Sequence, residues 1–257
     1  MLELAAVCLL AVTQAMSGEA IAEKIANRIA DDERTGQITF TLRDSKGRER
    51  ERTARLAVRE TDEVSRMLLL FDRPANIRDT AFLSFDYVAP EAADETWLFL
   101  PSTERVRRIP STDRSGRFMA TELTYGDVKD DFKFGLADYD FEAGGEKNGR
   151  LVLIGTSKSP QVARETGYGG FRAEIDPETW FPMLIDFADP EGEPLKTIEV
   201  NEVQRVGDSW TAKSFEVVNH KTGRSTSVRV DDSRVARGLS ATLFDARDLD
   251  RAGSQLP

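Results

Sequence analysis

Few side chains in this sequence are equipped for bond-making chemistry, and their spacing narrows the field further. The single histidine, His220, lies in Asn219-His220-Lys221-Thr222-Gly223, a hairpin-turn composition that places it on the surface rather than beside a nucleophile. The single cysteine, Cys8, is embedded in an apolar run. No G-x-S-x-G elbow, P-loop or H-E-x-x-H helix occurs. Gly144-Gly145 and Gly167-Tyr168-Gly169-Gly170 do not open a helix after a strand, so they read as turns rather than phosphate cradles. Asp127, Asp130 and Asp131 could suggest calcium or a carboxylate pair. They lack the alternating order and distal Glu of a calcium loop, and a solvated loop accounts for them. Arg105, Arg107 and Arg108 follow a turn. On a strand, Arg105 and Arg107 share one face and Arg108 takes the other, where they could meet a lipid headgroup, a partner's carboxylate or cross-strand Glu residues.

Composition agrees with this scarcity. In 257 residues, 35 basic against 45 acidic side chains give a net charge of -10, the wrong sign for a protein that tracks nucleic-acid phosphates. One cysteine excludes a disulfide framework within the chain and any thiolate-rich zinc site, and one histidine leaves little room for a multi-histidine metal centre. No catalytic residue, metal or cofactor is expected. The surplus lies elsewhere, in fourteen Phe and three Trp that fall mostly in strand-like segments.

The elements that must position these aromatics alternate with period two. A short amphipathic helix opens at Ser17, with Ile21, Ile25 and Ile29 on one stripe. Ile38, Phe40 and Leu42 then alternate with polar residues, Asp44 to Gly47 turns the chain, and Arg50 to Arg59 returns it. The segments ending in Met67 to Phe71, and those at 80–88 and 96–100, are apolar on both faces. Further strands are expected at 171–175, 183–187, 195–203, 210–218 and 225–230, with Gly-, Pro- and Asp-bearing turns between them. Between the two sets, 111–135 shows no strand period and reads as a long excursion with a helical turn near Val128 to Phe132. The rhythm predicts an antiparallel barrel or sandwich in one domain, 16–257, and excludes βαβ alternation. Strands apolar on both faces demand either a second layer or a sheet curved around something that is not protein.

Leu4 to Val12 is a nine-residue uncharged run, too short to span a bilayer as a helix of roughly 20 residues. Followed by Thr13-Gln14-Ala15, it reads as a secretory signal covering 1–15, although its leading residues carry Glu3 and no Lys or Arg. Cys8 would leave with the signal, which suits a mature chain in an oxidising compartment.

The residues from 69 to 127 resemble a known family. LLFDRPANIRDTAFLSFDYV, then ETWLFLPSTERVRRIPSTDRSGRFMATELTYGD, is similar to the characteristic block of the LolA-like outer-membrane lipoprotein-sorting proteins. Ile77 to Leu83, Trp97 to Pro101, Arg107 to Ile109 and Phe118 to Asp127 carry it. ETWFPMLIDFADPEGEPLKTIEV, SWTAKSFEVVNHKTGRSTSV and LFDARDL follow in order, so the likeness spans nearly all of the mature chain. One departure is Ala120-Thr121-Glu122, where the family has a Gly-Ser-Asp-like run.

The resemblance implies a mainly β fold: a strongly curved, incomplete antiparallel β-barrel, with a few short helices covering the concave face. It implies a periplasmic carrier that holds a lipid or lipoprotein acyl chain in a hydrophobic cavity. Such a carrier shuttles its cargo towards the outer membrane, or to and from an RND- or MMPL-type exporter, without covalent chemistry. Strand position nominates Phe40, Leu69, Phe71, Phe82, Phe85, Trp97, Phe99, Ile185, Phe187 and Phe215 as cavity wall, and Arg107 and Arg108 as headgroup or partner contacts. The alternative is a non-enzymatic adaptor that grips an envelope or exporter partner, through its negative surface and the 111–135 loop, and carries no lipid.

Overall fold

The computed structural model describes residues 16–28, 33–89 and 92–256. The signal-like run, Cys8 and Ile29 lie outside them. Helix α1 (Gly18–Ala26) begins where the Ser17 hydroxyl accepts the Ala20 N–H at 3.2 Å, and it buries Ile21, Ala22 and Ile25. Gly18 is required by packing: a Cβ there would come within 2.5 Å of the Phe141 carbonyl, against which the helix rests.

The chain then builds one antiparallel meander, β1 (Glu33–Arg43), β2 (Glu49–Glu60), β3 (Val64–Arg73), β4 (Ala81–Tyr87), β5 (Glu95–Leu100) and β6 (Arg105–Ile109). The segment 110–138 leaves the sheet and carries α2 (Tyr125–Asp130). The second meander starts with β7 (Tyr139–Lys147) and β8 (Arg150–Ser157), and crosses α3 (Pro160–Thr166). It continues through β9 (Gly170–Ile175), β10 (Pro182–Ala188), β11 (Pro194–Val206), β12 (Ser209–Asn219) and β13 (Arg224–Ala236). Pairing of β13 with β1 joins the halves into a 13-stranded sheet whose free edges are β6 and β7. The sheet is mainly antiparallel β and stays open rather than closing into a barrel, as the sequence reading expected of an incomplete one.

The both-faces-apolar strands are explained by two hydrophobic layers. In Met67 to Phe71, Met67, Leu69 and Phe71 join the cluster on the concave face, while Leu68 and Leu70 point the other way. There they meet Ala57, Ala81, Leu83 and Phe99, and are covered by Leu243, Phe244, Leu249, Ala252 and Leu256 of the C-terminal 3-10 segments and α4 (Ala252–Gln255). The second-layer reading of the apolar surplus therefore holds over β2 to β5.

Three elements depart from the sequence reading. Strands β7 and β8 were not anticipated, because Tyr139 and Phe141 alternate only briefly before a bulge at Gly144-Gly145, and the turn falls instead at Asn148-Gly149. Helix α3 was missed although Ser159 caps it and Pro160 starts it. Helix α2 begins earlier than expected. Thr124 and Asp127 form a reciprocal capping box at its start, and Asp131, with φ 44°, ends it before Phe132.

Candidate functional site

Residues on successive strands that share the concave face enclose, with the 110–138 segment as a roof, a cavity of about 130 Å³ that opens to solvent. Ile38 and Phe40 of β1, Leu56 and Val58 of β2, and Met67 and Leu69 of β3 form one wall. Ile185 and Phe187 of β10, Ile198 of β11, Ala212 and Phe215 of β12, and Val230 of β13 form the other. The roof contributes Leu123, Val128, Phe132 and Phe134. Phe132 meets Phe215 edge-on at 5.0 Å between ring centroids, and Phe134 stacks on Phe171 at 4.0 Å, so roof and wall interdigitate.

Of the nominated wall residues, Phe40, Leu69, Ile185, Phe187 and Phe215 line this cavity. Phe71 and Phe82 face the same side but are sealed off by Phe118, whose ring lies 5.9 Å from Phe71 and 5.1 Å from Phe82. Phe85, Trp97 and Phe99 are corrected. Side chains alternate along a strand, and the buried neighbours Phe82 and Leu98 take the concave face. The odd-numbered positions of β4 and β5 therefore fall on the convex layer, where Phe85 and Trp97 pack edge-on at 5.1 Å. Arg107 and Arg108 sit exposed on the edge strand β6, near Asp113 at 3.8 Å and Glu95 at 3.3 Å, and neither lines the cavity. His220 is exposed in its turn, 2.8 Å from the Thr197 hydroxyl.

The roof is not the solvated loop its acidic residues suggested. Asp127, the side chain of which is 6 % exposed, accepts hydrogen bonds from the Thr124 N–H at 2.6 Å and the Tyr168 hydroxyl at 2.8 Å, and pairs with buried Lys196. The Lys196 ammonium also lies 4.9 Å over the Tyr168 ring. Burial, with Asp127 beside it, pushes the Tyr168 hydroxyl well above its ordinary range. Glu122, equally buried, takes the Arg117 guanidinium at 2.5 Å and the Asn219 amide at 2.9 Å, while its N–H donates to Thr226 at 2.9 Å. These contacts fasten the roof to β11, β12 and β13. Sequence gave no signal for them, since each joins residues far apart in the chain.

At the rim, buried Lys129 faces Asp86 at 2.9 Å and both Asp94 and Asp130 at 2.6 Å, and Lys133 also reaches Asp86. Burial opposes the charge on Lys129, but its three carboxylates hold the ammonium well above its usual value. Burial pushes Asp130 up to about 6. Across the rim, Arg34 bridges Glu60 and Asp131, each at 3.3 Å, and Arg28 donates to the Asp131 carbonyl while lying 4.8 Å over Phe181. Burial lowers Arg28 to about 10. Among the described residues, no three His, Cys, Asp or Glu side chains gather as a metal ion would need, and no helix is long and apolar enough to cross a membrane.

A family model described as "Uncharacterized protein" matches residues 63–251. The chain belongs to that family. Its matched span includes the roof and every cavity-lining residue except those of β1 and β2. No curated protein matches the sequence. Among solved structures, a domain described as outer membrane lipoprotein-sorting from Vibrio parahaemolyticus is 28 % identical, with a TM-score of 0.81 over 91 % of this chain and 98 % of that one. A DUF1329 family protein from Desulfovibrio piger, 22 % identical, gives 0.80 over 90 % and 97 %. A LolA superfamily protein from Nitrosomonas europaea, 18 % identical, gives 0.66 over 90 % and 98 %. The family member described here thus has the LolA-like fold that its sequence block implied.

Proposed function

We propose that this protein is a carrier that holds an acyl chain of a lipid or lipoprotein in its concave cavity and moves it through the periplasm without covalent chemistry. The observation that carries this reading is the cavity: a wall of aliphatic and aromatic side chains, roofed by a segment that is tied down by polar contacts rather than continuous with the sheet. The physical need is large. Two acyl chains of about 14 methylenes each cost about 20 kcal/mol to expose to water, at roughly 0.8 kcal/mol per CH₂. The likeness to a domain described as lipoprotein-sorting supports the same reading, and the signal-like run before Met16 supports export. An RND- or MMPL-type exporter as donor or acceptor is a finer part of the proposal and rests on the sequence resemblance.

The alternative is an adaptor that grips a partner through its negative surface and the 111–135 loop. Residues 123–135 of that loop also line the cavity, so deleting it would damage carrier and adaptor alike. The decisive experiment is mass spectrometry of an organic extract from mature protein purified without detergent. Stoichiometric lipid, absent from a mock purification, is the expected result. A clean extract, together with no uptake of fluorescent lipid, overturns the carrier and leaves the adaptor.

A further inference from the structure

Among the described residues, the charges around the cavity balance except at one place. Asp127 is matched by Lys196, and Glu60 and Asp131 by Arg34 and Arg28. On the remaining side two lysines, Lys129 and Lys133, face three carboxylates, Asp86, Asp94 and Asp130. Asp86 of β4 takes both lysines and Asp94 takes Lys129. Of these three carboxylates only Asp130 lines the cavity, beside Lys133, Arg34, Asp127 and Asp131. Its Oδ1 lies 2.6 Å from Lys129, and 35 % of its side chain remains open. A net negative charge at the edge of an apolar chamber is an unusual wall for a site that takes only hydrocarbon, because a low-dielectric setting penalises unbalanced charge.

We infer that Asp130 receives a cationic head: the cavity prefers an amphiphile whose alkyl or acyl chain ends in an ammonium group over one ending in an anion. This rests on the carrier reading and specifies its cargo. The ammonium would donate to Asp130 Oδ2 and supply the one positive charge the cluster lacks, while the chain runs along the strands toward Phe215 and Phe187. An anionic head would meet Asp130 and Asp131, and the cations nearby, Arg34 and Lys133, are already engaged by carboxylates.

The test uses three probes of equal chain length, dodecylammonium, dodecanol and laurate, each below its aggregation concentration, displacing a fluorescent lipid from the mature protein at pH 8. The expected order is dodecylammonium tighter than dodecanol by about tenfold, with laurate weakest. In Asp130→Asn the advantage of the ammonium over the alcohol disappears. A second measurement needs no variant: in the native protein that advantage shrinks as pH falls through about 6, where Asp130 takes up a proton. Lys129, Asp86, Asp94, Arg114 and Tyr139 face the same carboxyl, so a flat profile would mean that the cluster as a whole, not Asp130, holds the charge. That profile, equal binding of ammonium and alcohol, or tighter binding of laurate overturns the inference and leaves the carrier standing. Failure of all three probes to displace the lipid, together with a lipid-free extract, overturns the carrier itself.

Discussion

Ile38 and Phe99 are both apolar strand residues, but they lie on opposite faces of one sheet, and that separates what their substitution does. Ile38 lines the cavity and is only partly buried, so Ile38→Asp should lower bound lipid several-fold while shifting the melting temperature little. Phe99 lies in the convex layer, 8 % exposed, and Phe99→Ala should cost about 3–5 kcal/mol while the folded fraction keeps its full lipid content. Lipid per folded protein, read beside urea unfolding, decides between them; loss of lipid in Phe99→Ala would place that side chain in the wall. Lys196→Met leaves Asp127 buried without its cation, and should cost about 3–5 kcal/mol by the same unfolding measurement. Asp130 sets a pH dependence of opposite character to an ordinary surface carboxylate. Burial raises it from 3.8 to about 6, so between those values the native state holds a proton that the unfolded chain releases. Its stabilising contribution is full below about pH 4 and is lost as pH rises through about 6. Asn stays neutral throughout, so the melting temperature of Asp130→Asn minus that of the native protein should grow from pH 4 to 7. A shrinking difference would show that ionised Asp130 favours the unliganded fold. The same excess charge is what an ammonium head would relieve.

Among the elements, the C-terminal segment and the roof show how far sequence patterning reaches. The 3-10 turns and α4 cover Leu68, Leu70, Leu83 and Phe99. A chain ending at Arg237 should therefore expose a contiguous apolar face, bind a hydrophobic dye and aggregate; a soluble, dye-silent truncation would mean that layer is dispensable. Most strands were legible because one face is buried and a period of two fixes which residues face in. The period could not say which face was which. Trp97 and Phe99 look identical to Leu98 in a strand apolar on both sides, and only the packing of Leu243, Phe244 and Leu249 against them assigns the convex layer. Strands β7 and β8 were hidden by Gly144 and by exposed positions on β7, an edge strand. The roof's ties were illegible for a different reason: Glu122 meets Asn219 and Thr226, and Asp127 meets Lys196, across separations that local pattern does not encode. Ala120 is the exception, a place where sequence and structure meet at one residue. Its φ is 58°, a conformation that favours glycine, and the family resemblance implies a Gly-Ser-Asp-like run at this point of the chain. A non-glycine residue in that region costs roughly 1–2 kcal/mol, against about 0.4–1 kcal/mol for the added freedom of an unfolded glycine. Ala120→Gly should thus stabilise by up to about 1 kcal/mol in chemical denaturation, and a destabilised variant would remove the strain argument.

At the scale of the whole molecule, an open sheet with free edges at β6 and β7 is spanned by the segment that connects them, and that segment is also the cavity's roof. A chain of methylenes can reach the wall only through the mouth or by lifting the roof away from β11 to β13. The two routes make different demands on the contacts there. If the roof lifts, Asp127 must part from Lys196 and Glu122 from Thr226, both desolvated, and uptake is slowed by contacts that contribute nothing to affinity. The Glu122 N–H lies 2.9 Å from the Thr226 hydroxyl, so this is where the roof meets β13. The double variant Glu122→Cys with Thr226→Cys, oxidised after purification without lipid, should take up fluorescent lipid at least tenfold more slowly than its reduced form. Loading before oxidation should trap the cargo. Equal uptake rates in the two redox states would assign entry to the mouth beside Asp130 and Lys133, with the roof a fixed part of the fold. The rate is the informative quantity, because a roof that only gates entry changes how fast cargo exchanges and leaves the equilibrium occupancy where the apolar wall sets it.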